Sequence, residues 1–230
     1  MRYWEIDFAR GIAVISMLIY HFLFDMYYFD KLDLSYEFLY YVPRFIASSF
    51  IFISGLCLAI TCGSSCFKRK AKRAAKYFAI AVAITAVTYV IIGKGFVVFG
   101  ILHFISVAMV LGVFFARKPI LSLTTGFTVI LLGLVLSDMR FSTYLFVWLG
   151  LIPEDFYTLD YFPIIPWFGV FLLGVFFGNY YKPVKDFRFP LGDYISFLGR
   201  NSLKIYLIQH PIIVLILQIY YGDIIEQLNL

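Results

Sequence analysis

Runs of apolar residues, each long enough to cross a bilayer as a helix, constrain this chain more than any other feature. A crossing helix needs about 20 mostly apolar residues to span a hydrocarbon core roughly 30 Å thick. Seven runs approach that length: 8–29, 38–62, 74–92, 96–115, 120–136, 161–181 and 203–221. An eighth patch, 144–152, is too short to span and reads as an interfacial or re-entrant segment. The expected fold is therefore all-α: a polytopic membrane helix bundle of about seven transmembrane helices, forming one domain over residues 1–230. Composition closes off the soluble alternative. Hydrophobic residues make up 62% of the chain and charged residues 14%, against about 45–50% and about 25% in soluble domains. A soluble chain of 230 residues has no interior large enough for that much apolar surface. The same numbers exclude a disordered chain, a secreted disulfide scaffold and a typical nucleic-acid-binding domain.

Orientation follows from Lys and Arg, which concentrate on the cytoplasmic side of membrane proteins. With a cytoplasmic N-terminus, the inner side holds Arg2, Arg10, Lys68, Arg69, Lys70, Lys72, Arg73, Lys76, Arg117, Lys118, Lys182, Lys185, Arg188 and Arg200. The outer side holds Lys31, Arg44, Lys94 and Arg140, in loops that also carry Asp30, Asp33, Glu37, Asp138, Glu154 and Asp155. Fourteen against four, with Lys204 just inside the last run completing the nineteen, predicts a multi-pass protein of the cell membrane with its C-terminus outside. The first apolar run carries Arg10, His21 and Asp25 and has no small-residue cleavage site after it, so it does not read as a cleavable signal peptide. The basic run 68–76 is a topology anchor and a contact for anionic membrane lipid, or a seat for a phosphate-rich cytosolic ligand. Cys57, Cys62 and Cys66 lack paired metal-site spacing and read as reduced thiols at the inner end of a helix. No metal is expected.

Ionisable residues inside spans cost about 2.5–3.5 kcal/mol each on insertion scales, so each needs a reason. The first run holds several. Arg10 and His21 are eleven residues apart, which at about 100° per residue returns to within about 20° of the same face. Asp25 lies one turn beyond His21, and Asp7 lies five turns before Asp25. Asp7, Arg10, His21 and Asp25 thus share one stripe, which faces a protein interior or a wet cavity. A carboxylate beside an imidazole accepts its ring N–H and raises the basicity of the other nitrogen. That nitrogen can deprotonate an attacking amine or hydroxyl. The same stripe serves equally as a structural knot, with Asp7 pairing Arg10 and His21 bonding a neighbouring helix.

The remaining histidines, His103 and His210, also fall within runs, so all three suggest one polar passage. Pro211 removes a helical bond beside His210 and favours a kink there. Asp160 precedes the sixth span, where a carboxylate suits a helix N-terminus. His103, His210, Asp7 and Asp160 are candidates for lining the passage.

Several blocks of this chain resemble a known family. Arg10 and His21 in DFARGIAVISMLIYH look like the first-helix R-x10-H motif of acyltransferase-3 membrane enzymes. The blocks RYWEIDFARGIAVISMLIYHFLFD, FGILHFI, DYFPIIPWFGVFLLGVFFG and LGRNSLKIYLIQHPII are closer still to bacterial and archaeal proteins related to heparan-alpha-glucosaminide N-acetyltransferase. The resemblance implies an integral-membrane acyltransferase that moves an acetyl group from acetyl-CoA, bound from the cytosol, to an amine or hydroxyl of a sugar-containing envelope acceptor. It implies His21 as the catalytic histidine, with Asp25 orienting it, and Arg10 at the donor site. In the animal enzyme the proposed catalytic histidine lies in the loop after the first helix; the corresponding loop here, 30–37, contains none. The alternative reading, from another functional class, is a small transporter or channel whose His/Asp stripe relays protons or binds a solute. A structural subunit without chemistry is the third.

Overall fold

Because lipid offers no hydrogen bonds, a spanning segment must satisfy its own backbone, and the apolar runs of this chain do so as helices. The computed structural model describes residues 3–62, 66–137, 139–183 and 189–224. Among the described residues there are eight α-helices and no strand. They are α1 (Trp4–Tyr28), α2 (Tyr36–Thr61), α3 (Cys66–Ile92), α4 (Ile101–Gly112), α5 (Pro119–Leu136), α6 (Ile164–Tyr180), α7 (Pro190–Arg200) and α8 (Ser202–Tyr221). Five of these, α1, α2, α3, α5 and α8, are long and apolar enough to cross a membrane. The patch at 144–152 contains only a single 3₁₀ turn, Val147–Leu149, fastened by Tyr161, whose hydroxyl donates to the Val147 carbonyl.

Three local expectations change. The fourth run is apolar throughout, yet only twelve residues of it are α-helix. Its first part is drawn out along the chain before α6: Leu159 N–H donates to the Gly95 carbonyl and Phe162 N–H to that of Phe99. Its last part closes into tight turns at 113–117. An extra helix, α7, precedes α8; at eleven residues it rises only about 16 Å and does not span. Finally, Cys62 and Cys66 are joined in a disulfide rather than reduced, and Cys57 is not disulfide-bonded. The Cα atoms of Cys62 and Cys66, at the end of α2 and the start of α3, lie 5.0 Å apart. Of the charges counted for orientation, Arg2, Asp138, Lys185 and Arg188 lie outside the described residues, as does the C-terminal end beyond Ile224.

The chain divides into two compact units: Met1–Phe50 with Lys182–Leu230, and Ile51–Tyr181. The second is built on a core of Phe104, Phe168, Phe171, Leu172 and Val175, all at most 6% exposed. Small residues let its backbones approach. A Cβ on Gly174 would collide with the Phe52 carbonyl, and one on Gly55 with that of Phe171. Association within a bilayer rests on such close packing, since lipid tails are as apolar as the side chains. In the first unit α1 is the central element. α7 crosses its N-terminal half, where Gly11 and Gly199 remove the side chains that would hold the backbones apart. Trp4 stacks on Phe8, meets Phe189 edge-on and donates its indole N–H to Asp193, 3.0 Å away. An amphipathic aromatic of this kind belongs at a membrane–water boundary.

Candidate active site

α8 runs beside α1 and parallel to it. His210 meets Asp25, and further along both helices Lys31 pairs with Asp223 at 2.6 Å. The contact zone is apolar on either side. Val14, Met17 and Tyr20 of α1 cluster with Ile46 of α2 on one side, and Phe29, Ile213, Leu217 and Ile224 cluster on the other. Between these clusters α1 and α8 bring together His21, Asp25, Gln209 and His210.

Asp25 is buried at 6% exposure. Its Oδ2 lies 3.1 Å from Nδ1 of His210. A carboxylate only accepts, so Nδ1 of His210 donates, and the neutral ring keeps its lone pair on Nε2. The His21 and His210 rings face each other with centroids 4.6 Å apart. Asp25 therefore grips the histidine of the neighbouring helix, and not His21 one turn away on its own. His21 is held by ring contacts with His210 and Tyr20. Its Nδ1 is buried and has no hydrogen-bond partner among the described residues. Gln209 is 3% exposed, and neither its amide nitrogen nor its carbonyl oxygen is hydrogen-bonded among those residues. Its side chain approaches the His21 ring closely enough for a weak hydrogen bond, at a geometry short of a full one. An amide left unpaired in an apolar interior costs several kcal/mol, roughly 2–7 depending on reference. Proteins keep such groups where function requires them.

Arg10 and Asp7 form a pair at 3.4 Å, one turn apart on α1, near the crossing of α7. Over the rise from Arg10 to His21, roughly 16 Å, the stripe expected from periodicity is carried by the unbroken helix α1.

His103 and Asp160 belong to the other unit, where they serve the same helix end. Nδ1 of His103 accepts the Gly100 N–H at 3.3 Å, and Oδ2 of Asp160 accepts the Ile101 N–H at 3.1 Å. Both satisfy donors at the start of α4 that have no helical partner. Asp160 thus caps α4, and not the sixth span that it precedes in sequence. Phe78 and Phe99 enclose the His103 ring. Among the described residues no group of three or more His, Cys, Asp or Glu side chains is arranged to hold a metal ion.

The sequence signal for Gln209 is a polar residue in an apolar run beside His210, and it is weaker than that of an ionisable group. The Asp25–His210 contact joins two helices far apart in the chain, and periodicity reads only neighbours within one helix.

Long apolar helices, two of which carry a cluster of imidazole, carboxylate and carboxamide, define an integral membrane protein of the helical type. Residues 2–211 match the family model described as heparan-alpha-glucosaminide N-acetyltransferase, catalytic. The chain belongs to this family. No curated protein and no solved structure matches it.

Proposed function

We propose that this protein is a multi-pass membrane acyltransferase that transfers an acetyl group from acetyl-CoA to an amine or hydroxyl of a sugar-containing acceptor. The observation that carries the reading is the family match over residues 2–211, which takes in every member of the intramembrane cluster. His21 accepts the proton from the attacking group as that group bonds the thioester carbonyl carbon. The carbon–sulfur bond then breaks, and the proton passes to the departing thiolate. His210, fixed by Asp25, packs on the His21 ring and holds it in place. Arg10 steadies donor phosphates near the cytosolic mouth through charge-assisted bonds worth about 1.5–3 kcal/mol when well ordered.

Purified protein with labelled acetyl-CoA tests this directly. Wild type is expected to bind the donor, and Arg10→Ala to bind it about tenfold or more weakly, from the loss of at least one such contact. Absence of donor binding by wild type would remove the enzyme reading. Solute or proton flux in liposomes without transfer would instead favour the transporter.

The N-terminus is placed in the cytosol and the C-terminus outside. The uneven Lys and Arg distribution supports this, as does the parallel course of α1 and α8, which leaves their outer ends on one face. A reporter fused after Leu230 is expected to be active only outside the cytosol; a cytosolic C-terminal reporter overturns the orientation.

A further inference from the structure

We infer that Gln209 is the acceptor-binding residue of this site, its carboxamide holding a hydroxyl or amine of the sugar-containing acceptor against the His21–His210 pair. The inference rests on the acyltransferase reading and adds to it the residue that recognises the acceptor. Gln209 is almost wholly buried, yet neither of its polar atoms has a hydrogen-bond partner among the described residues. It makes at most a weak, poorly aligned contact with His21, whose Nδ1 is buried without a well-formed bond among those residues, and it precedes His210, whose ring lies 4.6 Å from that of His21. Unmet hydrogen-bonding capacity on two side chains therefore converges beside the ring proposed to take the proton.

The chemistry of the group selects its ligand. A carboxamide offers two donors and an accepting oxygen. It can bond a hydroxyl or an amine in either direction, and it adds no charge to an apolar site. A sugar presents hydroxyls and amines on adjacent carbons, so one can be held by Gln209 while its neighbour attacks. A structural glutamine would have its amide engaged by the protein, and replacing it would loosen the fold. An amide that serves only a ligand lowers the stability of the empty protein, so an apolar replacement of like size is neutral or stabilising.

The test compares wild type with Gln209→Leu and Gln209→Met in the full-length protein, using glucosamine as the probe. Three quantities are read: melting temperature, glucosamine binding, and the acceptor and donor KM values with acetyl-CoA. The inference expects both variants to melt at or above the wild-type temperature. It expects glucosamine affinity to fall at least tenfold, with a matching rise in acceptor KM and an unchanged donor KM. Wild type that transfers acetyl to glucosamine, with variants showing the same acceptor KM, would overturn the inference and leave the enzyme reading standing. Wild type that binds glucosamine without transferring acetyl, with variants that do not bind, would support the Gln209 site while sinking the enzyme reading. Wild type that neither binds nor acetylates glucosamine overturns the inference, and the enzyme reading then stands or falls on donor binding. If both variants melt well below wild type or fail to fold, the amide is structurally engaged and the inference is wrong.

Discussion

Replacing His21 with alanine is expected to lower acetyl transfer by about 10²–10⁴-fold, the range that a positioned general base contributes. Expression and acetyl-CoA binding should stay close to wild type, because His21 makes no hydrogen bond through its buried Nδ1 among the described residues. The loss should appear in kcat, since the proton moves only as the new bond forms. Asp25→Asn should cost less. Its carboxylate bonds Nδ1 of His210 and reaches His21 only through the contact between the two rings. It acts as a positioning residue, and an asparagine oxygen still accepts from the same N–H. His210→Asn should fall with Asp25→Asn, and combining the two should add little, because both alter one contact. Full transfer by His21→Ala would move the base to His210, whose Nε2 is the free nitrogen of a carboxylate-bound imidazole. Steady-state kinetics on purified variants in lipid discs separates these outcomes, and His21→Gln is the gentler substitute if the alanine variant folds poorly.

The parts of the fold legible in the sequence are those dictated by the bilayer. α1, α2, α3, α5 and α8 follow from apolar length alone, because a lipid-embedded backbone has no other way to satisfy its polar groups. α4 and α7 were less legible for opposite reasons. The run around α4 is apolar at both ends, but Phe96–Gly100 is extended and pairs with the chain at 159–162, and hydropathy does not separate an apolar strap from an apolar helix turn. α7 is short and mixes Asp193, Ser196 and Arg200 with Leu191, Tyr194 and Phe197, so no apolar window exposes it. The Cys62–Cys66 bridge depends on how close the end of α2 and the start of α3 come in space, a tertiary property that the spacing of three cysteines does not contain. In the site, the helical period placed Asp7, Arg10, His21 and Asp25 on one stripe of α1. It could not reveal that Asp25 would turn to His210, or that His103 and Asp160 would be taken up by the N-terminus of α4.

Replacing Gly199 with valine is expected to do more damage to the protein than any change in the polar cluster. A Cβ at this position would overlap the Asp7 carbonyl and lie against the Gly11 backbone, while a Cβ on Gly11 would meet the Ile195 carbonyl. Overpacking a core with side chains on both sides typically costs about 1–3 kcal/mol, because side chains can shift rotamer. Here the obstruction is the backbone of a membrane helix, and relief requires α7 to move off α1 as a body. That movement would separate Trp4 from Asp193 and Phe189 and disturb the turn of α1 that carries Asp7 and Arg10. Gly199→Val and Gly11→Val should therefore sharply reduce the yield of folded protein in detergent, and any folded fraction should bind acetyl-CoA more weakly than wild type. Gly93→Asn is the matching control. Gly93 has a left-handed backbone (φ 67°) with open space around it, and asparagine tolerates that conformation better than other side chains. It should cost no more than about 1 kcal/mol, the scale of a glycine conformational penalty. Size-exclusion profiles and melting curves of the three variants check this. Near-wild-type folding of Gly199→Val would mean that α7 does not pack on α1 as closely as the glycine pair implies, and that Arg10 owes its position to α1 alone.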